Sequence, residues 1–407
     1  MTADSPDAAF EDGVLVSRRF GDVYASRAGA LAQSRAVFLA GNQLPARWAG
    51  RAHFTVAELG FGTGLNMLAL LDMWRLHRPP GATLGCVSTE AFPLGRAQAA
   101  QALAAYPELA PLAAVLLAQW PAHRRGWVRL DFPALGATLD LALMDAHAAL
   151  AGWTGTADAW FLDGFSPARN PDMWSDALLA LVGARTAPGG TAATWSAAGH
   201  VRRALSAAGF TVERRPGFGG KRDRIEAAMP GAPIPAAASR SVAIVGAGIA
   251  GASLARAFRR LGCSPRIFAG GPMASGNPAA LVSPRLAAGS GAAAALHAQA
   301  FLRAVQCIRH DAPDAVIASG AVRLLKPSER DRAAATIASG LFPAESLRLD
   351  DAALHMADAL VVAPGRLREA WLGSSIARAV PAPQPDARGW RLGGEGPFDA
   401  VVLAAGF

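Results

Sequence analysis

Residues 161–174, FLDGFSPARNPDMW, hold the residue types best suited to chemistry. An apolar run, Ala159-Trp160-Phe161-Leu162, ends on a carboxylate, Asp163. A carboxylate at a strand end can hold an amine or take its proton. Phe165 follows two residues later and could pack on a flat base, although plain core packing accounts for a lone phenylalanine equally well. Pro167 and Pro171 then restrict the backbone of the loop.

A second group of residues lies upstream. The stretch ELGFGTGLN carries Glu58, Gly60, Gly62, Gly64 and Asn66, with a G-x-G-x-G spacing between a strand pattern and a helix pattern. Glycines let the backbone come close to a ligand, and the helix start offers free N–H groups to a carboxylate. Glu58 is a candidate acceptor for a ligand ammonium. Glu90 closes the next strand, where it can take two ribose hydroxyls, and Asp145 at a third strand end can reach an adenine amino group. An amino acid, a ribose and an adenine together describe S-adenosylmethionine. Methyl transfer is an in-line displacement and depends on alignment. An amine acceptor must be unprotonated at attack, which gives Asp163 a role.

A third stretch, VAIVGAGIAG, places Gly246, Gly248 and Gly251 in a G-x-G-x-x-G pattern after an apolar strand. That context suits a dinucleotide pyrophosphate. The acid expected about 20 residues further on is missing, because no Asp or Glu lies between Glu226 and Asp311.

These residues need elements to position them. Strand patterns at ATLGCVSTE, LDLALMDA, ADAWFLDGF, GGTAATWS and FTVERRPGF alternate with helical stretches at 93–105 and 175–186. The alternation predicts a mostly parallel sheet with ligands at the carboxyl strand ends. MPGAPIPAAASRS is rich in Pro, Ala and Gly and reads as a linker. The expected organisation is α/β throughout: a domain at 1–228, a linker at 229–241 and a second Rossmann-type domain at 242–407.

The chain has 407 residues, 52% of them hydrophobic and 17% charged, which supports filled cores and excludes wholesale disorder. Net charge is +8, and of 39 basic residues only Lys221 and Lys326 are lysines. Arginine suits phosphates. Between His200 and Arg224 stand Arg202, Arg203, Arg214, Arg215, Lys221, Arg222 and Arg224, a stretch that fits either a solvated surface or an RNA backbone. Cys86, Cys263 and Cys307 form no framework, and the eight histidines form no metal motif, so no metal is expected. The acidic N-terminus lacks a signal-peptide core, and no apolar stretch is long enough to span a bilayer. The expectation is a cytoplasmic protein.

FGDVYAS, VFLAGNQLPARW, ELGFGTGLN, STEAFPL, DAWFLDGFSPARNPDMW and VRRALSAAGF…GFGGKR occur in this order. Together they resemble the bifunctional tRNA 5-methylaminomethyl-2-thiouridine biosynthesis family. Residues 10–228 resemble its methyltransferase domain. Residues 242–407 resemble the first part of its FAD-dependent oxidoreductase domain, with ASGN at 274–277 among the matching pieces. The resemblance implies a Rossmann-like S-adenosylmethionine-dependent methyltransferase domain followed by an incomplete FAD-binding Rossmann-type domain. It further implies a tRNA substrate modified at the wobble uridine. The oxidoreductase half would remove a carboxymethyl group from 5-carboxymethylaminomethyluridine, and the methyltransferase half would methylate the amine left behind. By motif position it assigns Glu58, Gly60, Gly62, Gly64, Glu90 and Asp145, with Asn66 at the motif's end, to the methyl donor. Asp163 and Phe165 go to the acceptor amine, and Lys221 and Arg222 to a tRNA-facing or site-closing loop. Gly246, Gly248 and Gly251 go to FAD. Gln33 stands where the family often has an acid. A flavin amine oxidoreductase and a non-catalytic tRNA-binding module are the alternatives.

Overall fold

The computed structural model describes residues 7–24, 29–121, 124–232, 240–270, 274–286, 291–373, 376–377 and 382–405. The chain divides into two compact units, Met1–Ala236 and Ala237–Phe407.

Unit 1 is built on an eight-stranded sheet. Its strands are β1 (His53–Leu59), β2 (Thr83–Thr89), β3 (Gly126–Phe132), β4 (Ala137–Leu143), β5 (Ala157–Leu162), β6 (Thr186–Thr194), β7 (Thr211–Pro216) and β8 (Asp223–Ala228), in the order β7-β8-β6-β5-β1-β2-β4-β3. The five central strands, β6, β5, β1, β2 and β4, are parallel to their neighbours. β3 and the β7–β8 hairpin are antiparallel additions at the two edges. All six residues of β5 are buried, which explains why its sequence reads as a continuous apolar run rather than an alternation. Trp160 and Phe161 are fully buried, each contributing about 1.5–3 kcal/mol of burial. The one acid in β5, Asp158, is met by Arg51 at 2.7 Å and by the Thr55 N–H at 2.8 Å.

The helices of this unit include α1 (Leu65–His77), α2 (Arg96–Leu103), α3 (Ala110–Ala118), α4 (Ala146–Gly152), α5 (Asp176–Ala184) and α6 (Gly199–Ala207). From β1 the chain passes to β2 on one side, and later to β5 on the other. The carboxyl ends of β1 and β5 therefore flank the point where strand order reverses, the place where open α/β sheets bind ligands.

Three elements had no signal in the sequence reading: β3, β8 and an N-terminal antiparallel meander of Ala8–Glu11, Val14–Ser17 and Asp22–Val23. A helical stretch from Ala30 widens to π-type turns over Ser34–Leu39. It is tied down by Asn42, whose amide donates to the carbonyls of Phe38 and Trp160 and accepts from the Thr191 hydroxyl.

Unit 2 contains a four-stranded parallel sheet of β9 (Val242–Val245), β10 (Arg266–Ala269), β11 (Ile376–Ala377) and β12 (Ala400–Leu403), in the order β11-β10-β9-β12. Helix α7 (Ile249–Arg260) follows β9 through the second glycine loop. An antiparallel sheet centred on Ala353–Val362 and a small meander over 384–398 complete the unit. Among the described residues no single helix is long and apolar enough to cross a membrane.

Candidate active site

A cavity of about 650 Å³ opens at the carboxyl edge of the unit 1 sheet. Its walls come from the N-terminal meander, the π-type helix, the loop after β1, the ends of β2, β4 and β5, and the β6–α6 and β7–β8 connections.

The loop after β1 is pinned by Glu90. One carboxylate oxygen accepts the Gly62 N–H at 2.9 Å and the other accepts the Phe92 N–H at 2.8 Å. Burial pushes the Glu90 carboxyl up, and these backbone donors oppose the shift. Gly60 has φ +81°, and a Cβ there would lie 3.3 Å from the Cα of Gly164. The loop after β1 and the Asp163 loop thus meet backbone to backbone, at a separation and a positive φ that a side chain at Gly60 would strain.

Asp163 is the first residue past β5 and is surrounded by donors. Its Oδ1 accepts the Gly164 N–H at 2.8 Å and the Trp195 indole N–H at 3.0 Å, and its Oδ2 accepts the Asn66 amide at 2.7 Å. Burial raises its pKa, while these three donors and the charge of Lys221 lower it. Asn66 lies on the first turn of α1. The same amide nitrogen donates to Glu58 Oε1 at 3.0 Å, and its oxygen accepts the Ser34 hydroxyl at 2.5 Å.

Aromatic rings line the mouth of the cavity. Phe165 stacks on Phe20 with centroids 4.9 Å apart and meets Tyr24 edge-on at 5.1 Å. Phe20 also touches Phe92 at 5.7 Å. The loop carrying Phe165 is held by the Trp174 indole, which donates to the Phe165 carbonyl, and by Asp22, which accepts the Ser166 N–H.

The structure brings Gly60, Gly62, Asn66, Glu90, Asp145, Asp163, Phe165 and Lys221 to one cavity, and Gln33 lines it as well. Four expected residues differ in detail. Glu58 is 1% exposed and stands behind the wall, not in it. Its oxygens are met by Asn66 and by the Ser88 hydroxyl at 2.6 Å, so in this structure it reaches the cavity only through Asn66. Asp145 caps α4, with Oδ1 accepting the Ala148 N–H, so one of its two oxygens is already engaged by the helix. Arg222 is exposed and lies outside the lining, whereas its neighbour Lys221 points in. Gly64 is likewise behind the wall, packed against Phe61 and Leu116. The sequence reading missed Phe20, Tyr24, Phe92 and Trp195. Phe20 and Tyr24 lie in the string FGDVY, Phe92 in STEAFPL and Trp195 at the end of the GGTAATWS strand pattern, none of which assigns a role to the ring.

Glu58 gives a test by pH. Burial raises its folded pKa well above the usual carboxylate value. A carboxyl with a raised folded pKa contributes stability below its unfolded value, about 4.3, and loses it as pH rises through the folded value. Glu58→Gln keeps the shape without the charge. Thermal unfolding midpoints from pH 5 to 8 are expected to fall less steeply for this variant than for the parent. Parallel curves would show that Glu58 does not carry the penalty.

In unit 2, Gly246, Gly248 and Gly251 form the turn into α7. A Cβ on Gly251 would lie 1.8 Å from the Gly246 carbonyl oxygen, so helix and strand pack as a pyrophosphate-binding turn requires. The pyrophosphate part of FAD fits this turn. The Ile249 N–H at the helix start is held by the Ser275 hydroxyl at 2.9 Å. β10 ends at Ala269 without an acid for a ribose. Among the described residues no group of three or more His, Cys, Asp or Glu is placed to hold a metal, and the three cysteines are free.

A glycine loop after β1, an acid closing β2 and a cavity at the switch point define a Rossmann-like methyltransferase unit, followed by a Rossmann-type unit of the FAD oxidoreductase kind. The family described as S-adenosyl-L-methionine-dependent methyltransferase matches residues 107–230. A protein of a Caulobacter species, the tRNA 5-methylaminomethyl-2-thiouridine biosynthesis bifunctional protein MnmC, is 51% identical over 97% of this chain and 70% of its own length. The protein of that name from Caulobacter vibrioides is 51% identical over 96% of this chain and 68% of its own. The crystal structure of MNMC2 from Aquifex aeolicus aligns with 24% identity and a TM-score of 0.45, covering 57% of this chain and 73% of that one. The chain belongs to the family of bifunctional tRNA 5-methylaminomethyl-2-thiouridine biosynthesis proteins. S-adenosylmethionine and FAD are the cofactors that go with this membership.

Proposed function

We propose that unit 1 methylates the amine of 5-aminomethyl-(2-thio)uridine at the wobble position of tRNA. The observation that carries this reading is Asp163, a carboxylate fixed by three donors beside the aromatic rings of the cavity. S-adenosylmethionine supplies an electrophilic methyl group. Glu90 and the second oxygen of Asp145 hold its ribose and adenine, and the loop after β1 receives its amino-acid end. Asp163 binds the acceptor ammonium and takes one proton from it, which frees the nitrogen lone pair. The N–C bond then forms as the S–C bond breaks, and the product amine carries the positive charge. Phe165, with Phe20 and Tyr24 around it, packs on the uracil ring.

We further propose that unit 2 supplies the pyrophosphate-binding part of the oxidoreductase that removes the carboxymethyl group from the 5-carboxymethylaminomethyl precursor. Gly246, Gly248 and Gly251 carry this assignment, and the boundaries 1–228, 229–241 and 242–407 describe the division of labour. The direct experiment is transfer of labelled methyl to tRNA carrying the aminomethyl group. Incorporation there, and none into tRNA lacking the amine, is expected. A protein that binds S-adenosylmethionine and leaves this tRNA unlabelled would refute the substrate.

The cations that meet the RNA are a subset of the basic stretch. In the β7–β8 hairpin Arg214 lies 3.9 Å from Asp223, Arg215 2.5 Å from Glu213, and Arg224 2.7 Å from Glu226. Arg202 and Arg203 on α6 are exposed and form no ion pair among the described residues. Replacing both by alanine is expected to weaken tRNA binding and to reduce the salt slope by about two. Replacing Arg214 and Arg215 should change the slope less. Equal effects from the two pairs would remove the distinction.

A further inference from the structure

The cavity already holds an ammonium. Lys221 Nζ lies 3.5 Å from the centroid of the Trp195 ring, well within the range of a cation–π contact. The same indole donates its N–H to Asp163 Oδ1 at 3.0 Å. Its plane is fixed by Trp174, whose ring meets it edge-on at 6.4 Å. One tryptophan therefore presents its face to a cation and its edge to the catalytic carboxylate.

Burial lowers the pKa of Lys221, while Asp163 and Asp22 raise it. Those two carboxylates are also the ones that hold the acceptor loop and the acceptor amine. Lys221 is exposed, although its amine end reaches the cavity. It sits in the β7–β8 connection directly after Gly219 and Gly220, both at positive φ. An exposed stem on a glycine-bearing turn can withdraw without disturbing the sheet.

We propose that the face of Trp195 and the carboxylate of Asp163 form a primary-ammonium site, which Lys221 fills until the acceptor amine displaces it. The proposal rests on the methylation reading and deepens it: Trp195 becomes a substrate-binding residue and Lys221 an intramolecular stand-in for the substrate. Two positive charges cannot share the site at low cost, so entry of the amine and exit of the lysine are one event. RNA phosphates beside the turn give the departing ammonium a new partner. A nucleoside without the amine has nothing to displace Lys221 with, so this exchange selects for the aminomethyl group.

The composition makes the test clean, since Lys221 and Lys326 are the only lysines. Reductive methylation with carbon-13 of the full chain labels both side chains and keeps their charge, and Lys326→Arg assigns the pair. The Lys221 resonance is expected upfield of Lys326 through the indole ring current. Trp195→Leu should abolish that shift. A stem-loop RNA carrying 5-aminomethyluridine should abolish it too, while the same RNA with plain uridine leaves it in place. Lys221→Met, which keeps the stem and removes the charge, should lower KM for the aminomethyl RNA roughly fivefold. Three results would overturn the proposal: an unmoved Lys221 signal at saturating aminomethyl RNA, an equal shift with plain RNA, or a raised KM with a smaller salt slope in Lys221→Met. An unmoved signal in a protein that still methylates the RNA would sink the stand-in alone. Absence of methyl transfer by the parent protein would instead sink the function on which it rests.

Discussion

Replacing Asp163 by alanine is expected to lower the single-turnover rate of methyl transfer by about 10³-fold, the scale of a positioned proton acceptor. The affinity for S-adenosylmethionine should change less than about threefold, within the range of substitutions that touch no ligand. The separation follows from geometry. Asp163 follows directly on β5, and its three donors are Asn66, Trp195 and its own loop. None of them is the Glu90 carboxylate that pins the donor loop. Rapid-quench transfer and calorimetric titration of the donor check the two quantities separately. Equal losses in both would mean that Asp163 supports the fold of the site and does not act on the amine.

Glu90→Ala should show the reverse pattern. Two backbone donors, the N–H groups of Gly62 and Phe92, lose their acceptor, and under the proposed reading the ribose loses its partner as well. Binding of S-adenosylmethionine is expected to weaken about 10²-fold, roughly 3 kcal/mol for charge-assisted hydrogen bonds in a half-buried site. With donor at saturation, the transfer step should recover most of its rate. A variant that binds the donor normally would show that the loop is held without Glu90.

Much of this architecture was legible in the sequence, for identifiable reasons. Strands buried on both faces read as apolar runs, and four of them end on or near an acid, which set Glu58, Glu90, Asp145 and Asp163 on one sheet edge. What such a pattern cannot give is the direction of a side chain. Glu58 sits one residue before the end of β1, so alternation along the strand turns it into the interior, toward Ser88 on the neighbouring strand. The aromatic wall was illegible for another reason. Phe20 and Tyr24 come from a meander far from Phe165 in sequence, and only the folded chain brings the rings together. Trp195 looked like the end of a closing strand, and its two contacts depend on Asp163 and Lys221 arriving from other connections. The charge run between His200 and Arg224 was visible as composition, but which arginines are already neutralised depends on side-chain direction along each strand and across the hairpin.

The contact between Gly60 and Gly164 has a consequence for how this site can vary. Under the proposed reading, the methyl donor and the acceptor lie on either side of the place where these two main chains abut, a gauge that side-chain exchange in the lining leaves alone. Substitutions in the lining retune which nucleoside enters and how its proton is handled. A side chain at Gly60 would have to push the two loops apart, and under that reading it would lengthen the jump the methyl group makes.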